Sequence, residues 1–199
     1  MFGYWFAALR RSAPAALVVT LLVSVLMVGV LIAEDPSGWA AALLQAVGAG
    51  VGWGVVFACV TATSNTFHAA RNTARLGLPL DARAASVPSV RRFTLPVMPG
   101  TTAYQLTDAM LHALQQVPQP RAGEVTEFTH GRLALTYGPL GGVGVTLGVT
   151  LTTGGGSASV ELVARPVGRR RKLDGGASWA VLTATEPVVR QALLEEAVA

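Results

Sequence analysis

The 199-residue chain is 51% hydrophobic and only 13% charged, with a mean hydropathy of +0.48, which excludes an ordinary soluble globular protein. Fifteen Lys and Arg against eleven Asp and Glu leave a net charge of +4, and with one lysine and no basic stripe interleaved with aromatics, no nucleic-acid partner is expected. The single cysteine, Cys59, excludes an internal disulfide framework, and no Cys/His cluster has metal-ligand spacing, so neither metal nor cofactor is expected.

The apolar excess is concentrated in residues 13–66. Residues 14–33 carry no charge, and as a helix they span roughly 30 Å, the hydrocarbon thickness of a bilayer. Pro14 is expected at the helix start, where its missing N–H is harmless, with Ser12 as a cap. A cleaved signal peptide is disfavoured because Leu31 would occupy the −3 site before Glu34. Arg10-Arg11 is followed by Ser-Ala-Pro, which is not a twin-arginine signal. Residues 1–33 are therefore read as a retained anchor. Residues 34–38, Glu-Asp-Pro-Ser-Gly, predict a turn kept out of lipid by its acids.

A second charge-free run covers residues 39–64. Trp39 at one end, and Tyr4 and Trp5 at the other, suit the membrane interface. The helix is expected to continue through Arg71 and Arg75 until Gly77 and Pro79 stop it. Arg10, Arg11, Arg71, Arg75 and Arg83 flank the two runs, and the turn between them has no Lys or Arg. The positive-inside rule then puts both termini in the cytoplasm of a multi-pass inner-membrane protein. Neither span contains an ionisable carboxylate or basic residue, which argues against a proton relay or ion path, and Gln45 and Cys59 are tolerable there.

In the second run Ala42, Ala46, Gly50, Gly54, Ala58 and Ala62 recur at four-residue spacing, a stripe that permits close backbone approach. Ser12, Ala16, Thr20 and Ser24 form a shorter counterpart in the first. Two readings stand side by side. The stripes pack together within the hairpin, or Gly50 and Gly54, widened by Gly48 and Gly52, dock a second copy or another membrane protein.

The hairpin unit is thus 1–77 and a linker 78–90. A cytoplasmic α+β domain follows at 91–199, its predicted order β-α-β-β-β-β-α with the helices on one face of an antiparallel sheet. Phe93, Leu95 and Val97 alternate as on a strand, and Pro96 places that strand at an edge. Thr102 and Gln105 form a capping-box signature before the stripe Leu106, Met110, Leu114 and Val117. Strands are expected at 125–130, 132–137, 143–151 and 158–165, with a loop at 138–142 and a turn at Gly154, Gly155 and Gly156. A last helix at about 178–197, kinked or restarted at Pro187, closes the chain, with Ser178 as its cap.

Several of these elements follow a pattern: Gly131-Arg132-Leu133, the Val-rich stretch 143–151, Arg165-Pro166, and Asp174-Gly175-Gly176 ahead of Trp179. In this order they resemble the C-terminal domains of uncharacterised bacterial membrane proteins, families of unknown function whose folds are similar to helix-grip or TBP-like α+β domains. The resemblance covers residues 91–197. It departs at Ala177, where a polar residue is usual, and it implies no catalytic residues.

Other motifs are read as structure. The glycines of 138–148 lead into a strand, whereas a phosphate cradle needs helical N–H groups behind it. His68, His112 and His130 are scattered, and Asp108 with His112 is expected as a surface pair. Arg169, Arg170, Arg171 and Lys172 are either a solvated loop or a contact with anionic headgroups, as are Arg71 and Arg75. No nucleophile, base and orienter set is visible, so no enzyme is expected. The favoured reading is a structural or accessory membrane protein that contacts membrane lipid and packs with itself or a partner. The alternative is a tethered binding module for an apolar ligand or lipid, walled by the Val/Leu face of residues 143–151.

Overall fold

The structure is a computed structural model that describes residues 1–34, 38–168 and 173–198. It contains two long apolar helices followed by a small α+β domain. Helix α1 is Phe2–Glu34 and α2 is Trp39–Arg75. Both are long and apolar enough to cross a membrane. At 1.5 Å per residue they run roughly 50 and 55 Å, well beyond a hydrocarbon core of about 30 Å. The hairpin therefore has a stalk that projects past its charge-free segments. Asp35, Pro36 and Ser37 of the expected turn lie outside the described residues.

Pro14 is inside α1, not at its start. Its missing N–H leaves the Arg10 carbonyl without a helical donor, a fault of roughly 3 kcal/mol in a helix interior. The segment before it stays helical because Tyr4, Ala8 and Ser12 are buried there. Ser12 does not cap the helix. Its hydroxyl donates to the Leu9 carbonyl at 2.8 Å, one turn back. Helix α2 stops in a Schellman arrangement, with Leu78 N–H donating to the Thr73 carbonyl at 2.9 Å around Gly77 at φ +66°.

The linker is folded. Ala82–Ala85 form a 3-10 turn capped by Asp81, and Ala84 and Ala85 are buried. The domain then runs β1 Ser89–Pro96, α3 Ala103–Gln115, β2 Ala122–Thr129, β3 Arg132–Leu140, β4 Val143–Gly154, β5 Ser157–Pro166 and α4 Ala177–Val198. The five strands form one antiparallel sheet ordered β1-β5-β4-β3-β2, so β1 is an edge strand. The capping box at Thr102 and Gln105 is formed. Strand β3 continues through the stretch expected as a loop at 138–142, and only Gly141 and Gly142 make the turn. Helix α4 passes through Pro187 without restarting.

Both α3 and α4 cover one sheet face. Leu106, Met110 and Leu114 from α3, and Val181, Leu182, Val189 and Leu193 from α4, meet Leu133, Leu135, Val145, Leu147, Val149 and Leu162 in one buried core. This is the Val/Leu face of β4 that the ligand-binding alternative needs as a pocket wall, and the domain's own helices occupy it. Tyr137 joins the core with its hydroxyl unpartnered, and burial pushes its pKa up from the ordinary value of 10.0. Asp108 and His112 face each other at 3.7 Å on the exposed side of α3.

Candidate functional site: the junction of stalk and domain

The small-residue stripe lies against α1. Ala42, Ala46, Gly50, Gly54, Ala58 and Ala62 are all buried. A Cβ at Gly50 would overlap the Ser24 hydroxyl and lie 2.6 Å from the Thr20 carbonyl oxygen. One at Gly54 would overlap Thr20 Oγ1 and lie 3.1 Å from the Ala16 carbonyl. The close approach is thus made within the hairpin, and it needs glycine at both positions. Gly48 and Gly52 face open space.

The periodicity does not end at Ala62. Thr66, Ala69, Asn72 and Thr73 continue the buried face of α2 beyond the charge-free run. Trp5 Nε1 donates to Thr63 Oγ1 at 3.1 Å, which ties α1 to the same level. Beyond it, Tyr4 and Ala8 of α1, Ala62 and Ala69 of α2, Ala84 and Ala85 of the linker, and Trp179 and Ala180 of α4 form a second buried cluster. Four chain segments meet here, and the domain is joined to the stalk by packing as well as by the linker.

The domain contributes Asp174-Gly175-Gly176. Asp174 is 3% exposed, and its two carboxylate oxygens accept from Gly176 N–H at 3.1 Å and Ser178 N–H at 2.8 Å. This caps α4, in place of the expected Ser178. The carboxylate is the stronger acceptor for a helix N-terminus, and Ser178 itself is fully buried with its hydroxyl unpartnered. Gly175 and Gly176 have φ of +59° and +71°, a region costly for other residues. A Cβ on Gly175 would stand 3.0 Å from His68 Cβ, and one on Gly176 would stand 3.2 Å from Ala69 Cβ. The two glycines let the loop lie flat on α2.

One hydrogen bond fixes the register of this contact. Asn72 Nδ2 donates to the Gly175 carbonyl at 2.9 Å. Asn72 is 1% exposed, its Oδ1 has no partner among the described residues, and a Cβ at Gly141 in the β3–β4 turn would lie 2.7 Å from that oxygen. One asparagine thus touches both the capping loop of α4 and a hairpin tip of the sheet. A small cleft of about 180 Å³ remains beside it, lined by Asn65, His68, Leu173 and Asp174 among others. Both oxygens of Asp174 already accept backbone hydrogen bonds, so its chemistry here is capping.

Arg71 and Arg75 are exposed on the stalk. Arg71 stands about 10 Å beyond Ser64 along the helix. Arg169, Arg170, Arg171 and Lys172 lie outside the described residues. Their neighbour Leu173 packs against the second cluster and beside Asn65 and His68. Among the described residues no three His, Cys, Asp or Glu gather as a metal site would need. Tyr4, expected at the membrane interface, is instead buried in the second cluster. Asp174 and Trp179 are singled out only within the resemblance, and that they meet beside Asn72 at a junction is not expected from sequence. The available signal was the spacing Ala62, Thr66, Ala69 and Thr73, which prolongs the stripe beyond the membrane-length segment. No family model matches this chain, and no curated protein matches it.

Proposed function

We propose that this chain is a structural or accessory protein of the inner membrane whose hairpin holds the α+β domain in a fixed pose at the cytoplasmic surface. In this reading both termini are cytoplasmic, and the domain meets a partner protein or anionic headgroups there. The observation that carries it is the interlock of Asn72 with Gly175, backed by the buried cluster around Tyr4, Ala69, Ala84 and Trp179. A scaffold that must present one face at a set height gains its geometry from such a contact.

Further support comes from charge. Arginines flank the charge-free segments on the side where the domain lies, and the intervening turn has none. Arg71, Arg75, Arg169, Arg170, Arg171 and Lys172 are the candidate headgroup contacts of this reading, at about 1 kcal/mol for each residue near the surface.

The test is a cross-link combined with topology reporters. Gly3 and Ala82 stand so that a Cβ on Gly3 is 3.4 Å from Ala82 Cβ, close to disulfide geometry. In a Cys59→Ala background, Gly3→Cys with Ala82→Cys is expected to form one intramolecular disulfide when isolated native membranes are treated with a copper–phenanthroline oxidant, since the cytoplasm itself keeps thiols reduced. Reporters fused at residue 36 and at the C-terminus are expected to be external and cytoplasmic respectively. A free pair of thiols, or an external C-terminus, overturns the reading. Mild-detergent purification with identification of co-purifying proteins would then name the partner.

A further inference from the structure

A groove of about 630 Å³ lies between the base of α1 and the 3-10 turn of the linker. Its walls are apolar, formed by Phe6, Leu9, Ala13 and the linker alanines Ala82 and Ala85, and Arg10, Arg11 and Ser86 also line it. We propose that this groove binds the headgroup of an anionic glycerophospholipid. The inference rests on the membrane-anchored reading above and adds a specific ligand site to it.

Three observations converge. The first is charge: among the described residues neither Arg10 nor Arg11 has a carboxylate in ion-pair range. The nearest acid of the linker, Asp81, is engaged in capping Arg83 N–H at 3.0 Å. Arg10 and Arg11 both line the groove, and a guanidinium offers the forked donors that a phosphodiester accepts.

The second is height. Gly54 of α2 packs on Ala16 and Thr20, and Thr63 accepts from Trp5, so Arg10 and Arg11 stand between those contacts. They are opposite the last turns of the charge-free run of α2 and directly before that of α1. This is the level of the phosphates when the charge-free segments fill the hydrocarbon.

The third is continuity with an acyl path. From Ala13 the exposed face of α1 continues through Leu17, Leu21 and Val25, which are 64%, 65% and 69% exposed. These positions are four apart and lie on one side of the helix. A lipid with its phosphate on the arginines would lay a chain along them. The 3-10 turn of the linker forms the opposite wall of the groove, so the headgroup is held between α1 and the linker. Basic pockets beside membrane helices on the cytoplasmic side are a recurrent form of headgroup recognition.

The experiment uses the full-length protein purified from membranes in mild detergent, with bound lipid quantified by mass spectrometry after washing. Wild type is expected to retain anionic glycerophospholipid in preference to zwitterionic lipid. Arg10→Gln with Arg11→Gln is expected to lower retention about thirty-fold, the ratio for two basic residues at about 1 kcal/mol each. Because those arginines also set topology, the decisive variant is Ala82→Phe, which fills the groove and leaves both charges. It is expected to lose the lipid as well, whereas Arg121→Gln with Arg132→Gln, two exposed charges on the domain, is expected to keep it.

Retention by Ala82→Phe equal to wild type overturns the site. So does equal loss on replacing Arg121 and Arg132, which would mark a diffuse charge effect. Displacement by inorganic phosphate or glycerol phosphate would assign the groove to a soluble anion and equally overturn the lipid. All preparations are checked for membrane fractionation, and the arginine variants also, in the cysteine background, for the disulfide between positions 3 and 82. A cross-linked membrane protein without selective lipid sinks this inference alone. A protein absent from the membrane fraction sinks the proposed function with it.

Discussion

Gly50 and Gly52 are two residues apart on one helix, yet they should respond oppositely to the same substitution. A Cβ at Gly50 meets the Thr20 backbone oxygen at 2.6 Å, where an ordinary contact begins at 3.4 Å. The obstacle is backbone, so no rotamer change relieves it, and α1 must move as a body. Overpacking of this kind costs about 1–3 kcal/mol. Replacing a helical glycine returns about 1 kcal/mol of helix propensity at either site. Gly50→Leu should therefore be neutral to destabilising by about 2 kcal/mol. Gly52→Leu, with nothing within 4 Å, should be stabilising by up to about 1 kcal/mol. The two variants separate by about 1–3 kcal/mol, which is roughly five- to 150-fold in the unfolding equilibrium. Denaturing-detergent titration in mixed micelles, followed by tryptophan fluorescence, reads this difference. Val55→Leu, on the exposed side, should match wild type. Equal midpoints for Gly50→Leu and Gly52→Leu would refute the packing of the stripe on α1.

Tyr137→Phe should leave stability unchanged or raise it by up to about 1 kcal/mol in urea unfolding, because the hydroxyl it removes is buried and unpartnered. The folded pKa of Tyr137 is raised, so the unfolded chain loses the phenolic proton first; the resulting contribution is present below pH 10.0 and is lost as pH rises above it. The slope of stability against alkaline pH should therefore be shallower in the Phe variant. Asp174→Ala should cost at least the 1–2 kcal/mol of a lost N-cap and raise hydrogen exchange in the first turn of α4, with Ser178→Ala affecting that turn far less. Asn72→Leu should weaken the Gly3–Ala82 cross-link without unfolding the domain, since Asn72 meets the domain at its surface, at Gly175 and the Gly141 turn, and takes no part in the domain core.

Local chemistry made much of this fold legible. The hairpin follows from two membrane-length apolar runs, the capping box at Thr102 from its own four residues, and β4 from strict alternation of Val and Leu with small residues. Errors fell where a distant contact overrides the local signal. Pro14 reads as a helix start, but burial of Tyr4 and Ala8 extends α1 past it. Ser178 reads as a cap, but Asp174 is held in place by a loop pressed onto α2. Residues 78–90 read as a tether because Pro and Ser punctuate them, and only the packing of Ala84 and Ala85 under α1 shows a folded segment. The junction itself joins side chains about a hundred positions apart, and no local periodicity encodes that pairing.

The distance along the chain between Asn72 and Gly175 has a consequence for biosynthesis. The partners are 103 residues apart. At 5–20 residues per second, roughly 5–20 s separate the appearance of the asparagine from that of the loop it holds. During that interval the stalk surface formed by Ala69, Thr73 and Tyr4 is bare, and the helix that will cover it has not been made. Closure of the junction is therefore a late event, possible only after all five strands have been synthesised. A chain cut short before residue 174 would present the open surface permanently, a signature by which incomplete molecules differ from finished ones.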